Sequence, residues 1–525
     1  MIHIFLSDKA YENDVFQIVR MFYPGEEVKL SEEVIYPIEA CMGEVSDSIE
    51  KTGKTVEARE VRERLRDVAD EQDGLERLSV SFEADRIRIL VLFRTGRKLY
   101  RTVAVRFSQE TKSKYKNSLK RLLYGILSEA TGKELPWGIL TGIRPTKLVF
   151  QMLEDELSEE EIYHNMETEF LCSREKISTS IQIAKRERRL MQEIDYQNGY
   201  SLYIGIPFCP STCLYCSFTS YSIEKFSDYV EAYLKALEKE IIYGATVFPD
   251  KKLTCVYFGG GTPTTLSAEQ LDWLLGCVKK HFDFTYVKEF CVEAGRPDSI
   301  TKEKLLVLKK WGVNRISINP QSMQQKTLDL IGRKHTVEQI KEAFALARAT
   351  GHDNINMDMI IGLPGEETSD VSDTLAQIRE LNPDSLTVHT LAIKRAARLN
   401  IEREIYIGMR PTDVHSMQEA TVKFAKENDY LPYYLYRQKN MADNLENIGY
   451  ARDCKEGLYN ILIMEELQTI LALGAGGLTK YVSHHPHYIV REDNVKSVTE
   501  YITRIDELIE RKRKFFKEQR DCYFR

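Results

Sequence analysis

Three cysteines fall within eight residues, Cys209-Pro210-Ser211-Thr212-Cys213-Leu214-Tyr215-Cys216, with the spacing C-x3-C-x2-C. One tight loop can turn all three thiols toward a single metal centre. Zinc normally takes a fourth protein ligand, and the second C-x2-C or H-x3-H pair that would supply it is absent. A [4Fe–4S] cluster usually takes four cysteines. Three thiols leave one iron open to a ligand from outside the protein. The remaining seven cysteines (Cys41, Cys172, Cys255, Cys277, Cys291, Cys454 and Cys522) are scattered, mostly among apolar neighbours, and read as small packed hydrophobes.

Other residues suited to holding a ligand follow at intervals. Gly259-Gly260-Gly261-Thr262-Pro263 offers close backbone approach and unpaired peptide groups. Glu293 in Val-Glu-Ala, Gln321 in Asn-Pro-Gln, and Asp358 in Met-Asp-Met-Ile-Ile-Gly-Leu-Pro place polar groups among apolar ones. A carboxylate inside an apolar strand is costly to bury unless it binds something.

The elements that must position these residues are legible from residue 200 onward. Short apolar runs at 202–207, 254–258, 289–293, 315–318, 356–361 and 385–389 read as strands. Amphipathic stretches at 225–243, 267–281, 301–311, 336–350 and 368–380 alternate with them as helices. That alternation implies right-handed βαβ units and a parallel sheet, either open or curled into most of a barrel. In both, ligands bind at the carboxyl ends of the strands, where every motif above falls. The expected fold is α/β, a partial (β/α)6 barrel over 200–395. An α+β unit (1–108) and a helical linker region (109–199) precede it, and a C-terminal α+β region (396–525) completes the substrate site. In the first unit, 80–83, 87–93 and 102–107 read as strands. A Gly-rich stretch, Leu473-Gly474-Ala475-Gly476-Gly477, reads as a turn, and about 498–520 as a charged helix.

Composition excludes several classes. The 525 residues carry a net charge of −7 with acids and bases interspersed, which argues against nucleic-acid binding. The most basic run, Arg511-Lys512-Arg513-Lys514, reads as a solvated helix face. The first residues lack a signal-peptide core and no apolar run is long enough to span a bilayer, so the expectation is a cytoplasmic protein with no membrane partner.

The order Y-x-x-I-P-F-C-x3-C-x2-C, GGGTP, VEA, PQ, D-x-I-x-G-L-P resembles the radical S-adenosylmethionine (SAM) oxygen-independent coproporphyrinogen III oxidases over about residues 200–395. Within that family the chain is most similar to the HemZ-type coproporphyrinogen dehydrogenase branch. It shares the Tyr-Ile-Gly-Ile-Pro-Phe-Cys-Pro opening, the segment Trp-Gly-Ile-Leu-Thr-Gly-Ile-Arg-Pro-Thr-Lys and a long N-terminal extension. The resemblance implies one [4Fe–4S] cluster on Cys209, Cys213 and Cys216, with SAM on its open iron near Tyr203, Gly260 and Glu293. It implies a second SAM near Tyr215, Gly261, Thr262, Gln321, Arg333, Asp358, Ala392 and Leu478. The implied reaction is oxidative decarboxylation of two propionates of coproporphyrinogen III to vinyls, giving protoporphyrinogen IX in anaerobic haem synthesis. A small redox protein would supply electrons, and Lys394, Arg395 and Arg398 would face the substrate carboxylates. The chain departs from the pattern at Gly205, where family oxidases often carry His, and at Phe218, where they often carry a fourth Cys. Relatives with other roles, a haem chaperone and a haem-degrading methyltransferase, are the alternatives.

Overall fold

The computed structural model describes residues 1–31, 74–83, 86–96, 98–104, 112–142, 144–218, 220–392, 397–409, 413–437, 445–484 and 487–523. The chain forms two compact units, Met1–Pro145 with Gln151–Ile181, and Thr146–Phe150 with Gln182–Arg525.

The first unit is built on a five-stranded sheet of β1 (Ile2–Leu6), β2 (Val28–Leu30), β3 (Leu75–Phe82), β4 (Arg86–Phe93) and β5 (Lys98–Ala104), in the order β2-β1-β3-β4-β5. Alternation along β1 buries Ile2, Ile4 and Leu6 on one face. Helix α1 (Glu12–Phe22) brings Val15, Ile18, Val19 and Phe22 to one stripe, and α2 (Lys112–Thr131) adds Leu119, Leu123, Ile126 and Leu127 to the same core. The expected strand at 102–107 is here the end of β5, and 105–107 lie outside the described residues.

In the second unit the six expected strands are present as β6 (Gly199–Ile206), β7 (Lys252–Gly260), β8 (Glu289–Gly295), β9 (Arg315–Ile318), β10 (Ile355–Ile361) and β11 (Ser385–Thr390). Between them run α3 (Val230–Gly244), α4 (Ala268–His281), α5 (Lys302–Lys310), α6 (Val337–Ala349) and α7 (Thr368–Leu381). Sequence punctuates these helices sharply: Ser267 with Gln270 and Thr336 with Gln339 close capping boxes at the starts of α4 and α6. The strands pair in parallel in chain order, each with the next.

The C-terminal part extends this array on both edges. After α8 (Val414–Glu427), strands β12 (Leu431–Tyr436) and β13 (Asn447–Ala451) add antiparallel beside β11. Helix α9 (Leu458–Glu465) follows. Strand β14 (Thr469–Leu473) then pairs parallel with β6, and β15 (Leu478–His484) and β16 (His487–Asp493) follow antiparallel. The result is an eleven-stranded mixed sheet, β12-β13-β11-β10-β9-β8-β7-β6-β14-β15-β16, of which seven consecutive strands are parallel.

Two expectations are corrected. The Gly-rich stretch is not only a turn, because Leu473 ends a buried parallel strand. Gly474 allows that strand to leave past β6: a Cβ there would lie 2.5 Å from the Gly205 carbonyl oxygen, and Gly474 has φ +99. The basic run in α10 (Ile505–Tyr523) is not a uniformly solvated face. Lys512 is fully buried and donates to Glu240 at 2.7 Å. Glu240 also accepts from the Gly474 amide, Tyr501 and Asn494, a set of donors that offsets the cost of burying its charge.

Candidate active site

The cysteine loop leaves β6 and is held between the end of β7 and the turn that follows the short helix Gln325–Leu330. The Gly261 amide donates to the Ile206 carbonyl and the Thr262 amide to the Phe208 carbonyl, both at 2.7 Å. Gly261 passes so close that a Cβ would lie 2.5 Å from the Phe208 oxygen and 3.0 Å from Cys209 Sγ. Gly260 has φ +108, and a Cβ there would meet Ile206 and the Tyr203 hydroxyl. Within GGGTP, Gly261 is thus required by the approach of the cysteine loop, and Gly260 by its positive φ and the closeness of β6. On the other side, the Leu214 amide donates to the Ile331 carbonyl at 2.9 Å, and the Ser211 hydroxyl to the Gly332 carbonyl at 3.2 Å.

Cys209 and Cys213 are buried and Cys216 is half-buried. Cys209 Sγ lies 3.5 Å from Thr262 Oγ1. Burial pushes the Cys209 thiol up to about 11, against the lowering effect of Thr262. A thiol held neutral is a poor nucleophile, whereas metal ligation deprotonates a thiol outright. Among the described residues no three His, Cys, Asp or Glu side chains gather tightly enough to hold one ion. A cube that spreads its cysteines over separate irons does not require that convergence. Cys172, Cys255, Cys277 and Cys291 are buried as expected, but Cys454 is exposed, in a turn with φ +61.

The inner face of the sheet carries the remaining polar groups, placed by the two-residue period of the strands. Tyr203 of β6 is in register with Tyr257 of β7. Their rings stack at 6.2 Å, and Tyr257 stacks on Tyr459 of α9 at 4.3 Å. Tyr257 donates its hydroxyl to Glu293 Oε1. Burial raises the Glu293 carboxyl to about 7; the Tyr257 hydrogen bond and His389 lower it, and Asp358 adds to the rise. Asp358, one side of β10, accepts from Asn356 Nδ2 at 2.7 Å and faces His389 Nε2 at 3.7 Å. Burial opposes its charge, yet His389, Asn356 and Thr387 together hold it below the usual carboxylate range. His389 Nδ1 in turn lies 3.3 Å from the Tyr436 hydroxyl.

Beyond β9, Gln321 takes φ +66, a conformation that costs a non-glycine residue about 1 kcal/mol or more. Its backbone bridges β10, donating to the Asp358 carbonyl and accepting from the Ile360 amide. Arg333 donates to the Asn319 carbonyl at 2.5 Å and to the Tyr215 hydroxyl at 3.4 Å. Three buried atoms here have no partner among the described residues: Gln321 Oε1, Asn319 Oδ1 and Arg333 Nε. Buried polar atoms are normally paired, so three orphans beside one loop are what a bound polar ligand would satisfy.

The structure therefore gathers Tyr215 with Arg333, Thr262 and Gly261 with Cys209, and Tyr203, Glu293 and Asp358 on the inner face. Ala392 follows β11 and is half-buried. Leu478 opens β15, is 41% exposed, and makes no contact that ties it to the others among the described residues. Lys394 and Arg395 lie outside the described residues; Arg398 pairs with Glu402. The Gly205 carbonyl accepts from Tyr233 at 2.6 Å and Gly474 passes close to it, but a Cβ on Gly205 would meet its nearest neighbour, the Leu473 oxygen, at 3.4 Å, so packing alone does not dictate glycine there. Phe218 is 71% exposed.

Residues 203–378 match the model of the Radical SAM superfamily. The chain is 41% identical over 414 residues to the oxygen-independent coproporphyrinogen-III oxidase-like protein HemZ of Bacillus subtilis, covering 78% of this chain and 83% of that protein. The chain belongs to this radical SAM family. Its members use a [4Fe–4S] cluster and SAM. It is also 37% identical over 243 residues to the haem chaperone HemW of B. subtilis, covering 43% of this chain and 63% of that one. Among solved structures, coproporphyrinogen III oxidase (HemN) of Escherichia coli aligns with a TM-score of 0.49 at 24% identity, covering 61% of this chain and 72% of that one.

Sequence reading missed Tyr257, His389, Tyr436, Tyr459 and Arg296. One signal was available: Tyr203-x-Gly205 and Tyr257-x-Gly259 repeat the same pattern on strands expected to be neighbours.

Proposed function

We propose that the chain is an oxygen-independent coproporphyrinogen III dehydrogenase. The observation that carries this reading is the inner face of the parallel sheet, where the carboxylates of Glu293 and Asp358 lie near enough to influence one another, with Arg296 just past the end of β8 reaching the cysteine loop. Cys209, Cys213 and Cys216 would hold the cluster. Glu293, Tyr203 and Gly260 would hold the SAM on it. The unpaired atoms of Gln321, Asn319 and Arg333, together with Tyr215, Thr262 and Asp358, suit a second polar ligand. The cluster and SAM, when bound, supply reductive SAM cleavage and hydrogen abstraction from a propionate β-carbon.

The protein's own task is to bind, orient and exclude water. Helix α9 closes the amino ends of the strands: the Leu458 and Tyr459 amides donate to Glu289 at 2.7 and 3.1 Å, and Arg315 donates to the Lys455 carbonyl at 2.8 Å. Above it, the Tyr203, Tyr257 and Tyr459 rings form an apolar floor with their hydroxyls as handles. Glu293 is poised to exchange a proton near neutrality, and Asp358 is kept ionised. His389 has Tyr436 on one nitrogen and Asp358 on the other, which favours a carboxylate-handling role over axial ligation of haem iron.

A tetrapyrrole substrate and a small redox donor are part of this proposal. Its test is anaerobic incubation of reconstituted protein with SAM, a reductant and either coproporphyrinogen III or haem. The expected products are the tri- and dicarboxylate porphyrinogens. Tight stoichiometric haem binding with no decarboxylation would favour a chaperone instead.

A further inference from the structure

Arg296 lies at a bulge where β8 ends. The β8–β9 register shifts between Glu293 and Gly295, Gly295 has φ +60, and the Arg296 amide turns back to the Ala294 carbonyl at 2.7 Å. This aims the guanidinium away from the strand and toward the cysteine loop. The side chain is 4% exposed. Its Nε and Nη2 donate to the two carboxylate oxygens of Asp298 at 3.0 and 2.6 Å. Nη1 reaches across to the loop, donating to the Ser211 carbonyl at 3.1 Å and the Ser211 hydroxyl at 2.7 Å, with Cys213 Sγ at 3.9 Å.

An arginine fork held by a bidentate carboxylate is a fixed, always-charged donor. Here one edge of the fork is spent on Asp298 and the other is directed at a loop whose middle cysteine is buried. We propose that Arg296 is a positioning residue of the cluster: it clamps the loop through Ser211 and directs an N–H at the Cys213 sulfur, making the cluster easier to reduce. The physical basis is charge. Reduction adds an electron to a centre already bearing thiolates, and a buried N–H donor or cation beside a ligating sulfur stabilises the reduced state. Asp298 tempers that effect. His335 Nδ1 is 3.8 Å from Asp298 Oδ1, but burial and the neighbouring Arg333 hold His335 down to about 4, so it is neutral at working pH and adds no charge.

The inference rests on the proposed cluster assignment and makes two predictions of opposite sign. Anaerobically reconstituted Arg296→Met should hold its cluster at a lower midpoint potential, leaving Asp298 uncompensated. A tenfold fall in the reduction equilibrium would read as ~59 mV for this one-electron couple. Asp298→Asn keeps Arg296 and its bonds to Ser211 but removes the counter-charge, so the midpoint should rise. The measurement is a dithionite redox titration followed by electron paramagnetic resonance, without SAM, with iron content as the loading control. A merely structural clamp would change iron content and leave the midpoint of the loaded fraction unmoved. If Arg296→Met fails to load, Arg296→Gln, which can still hydrogen-bond Ser211 but carries no charge, decides: a lower midpoint in its loaded fraction supports the proposal, and no change or a rise overturns it. Cys213→Ala separates the two levels, since retention of the cluster in that variant would remove the ligand assignment itself.

Discussion

Removing one hydroxyl tests how the inner face holds its carboxylates. Tyr257 donates to Glu293 Oε1, and its ring is fixed by stacking on Tyr459, so Tyr257→Phe deletes the hydrogen bond with little change of shape. A hydrogen bond to a charged group contributes about 1.5–3 kcal/mol, or about 1–2 pKa units at ~1.36 kcal/mol each. The bond favours the ionised carboxyl, so its loss should move Glu293 from about 7 upward, to roughly 8–9. If ionised Glu293 holds SAM, wild-type affinity should rise as pH increases through about 7, and the variant's rise should come 1–2 units later. At about pH 7.5 the ionised fraction falls roughly eightfold for a shift of ~1.5 units, and affinity should fall with it. Above about pH 10 the two proteins should converge. The assay is equilibrium dialysis of radiolabelled SAM against reconstituted protein across this range. Asp358, His389, Tyr203, Tyr459 and Cys291 also face Glu293 and are unchanged by the substitution. An unshifted pH profile, or a uniform loss at every pH, would refute the reasoning.

Other expectations concern the loop and the fold. Cys209→Ala, Cys213→Ala or Cys216→Ala should each abolish iron loading after reconstitution, while Cys255→Ala and Cys454→Ala should not; iron analysis checks this. Gly261→Ala puts a methyl 2.5 Å from the Phe208 oxygen and 3.0 Å from Cys209 Sγ, so it should lower iron loading without unfolding the sheet, read by iron content and circular dichroism. Burial, reinforced by Glu465, raises the Glu187 carboxyl well above its ordinary value, and neither of its oxygens has a partner among the described residues. A raised carboxyl contributes stability that is present at low pH and lost as pH rises through the folded value. Glu187→Gln should therefore stabilise the protein by on the order of 1–2 kcal/mol at about pH 8 and less at about pH 5, measured by thermal denaturation.

Much of this architecture was legible because strand and helix alternate with distinct periods, and because each motif ends a strand. The six parallel strands followed from that, whereas Asp358 stands in the middle of β10 rather than at its carboxyl end. Strand β14 was not legible: it is five residues long, and its partner β6 lies some 270 residues earlier, so nothing local marks it as parallel. Tyr257, His389 and Tyr436 share a site only through cross-strand register, which a single sequence does not specify. Arg296 reaches the loop through a bulge and a positive-φ glycine, a local kink that strand periodicity conceals. Lys512 looked solvated because its neighbours are charged; its partner Glu240 is on another helix.

The most direct test of the account is hydrogen transfer from substrate. Coproporphyrinogen III carrying deuterium on its propionate β-carbons should be incubated anaerobically with reconstituted protein, SAM and a reductant. The account predicts deuterium in the 5′-deoxyadenosine formed, together with released carbon dioxide and a vinyl-bearing product. 5′-Deoxyadenosine free of deuterium, with the porphyrinogen recovered unchanged, would contradict it.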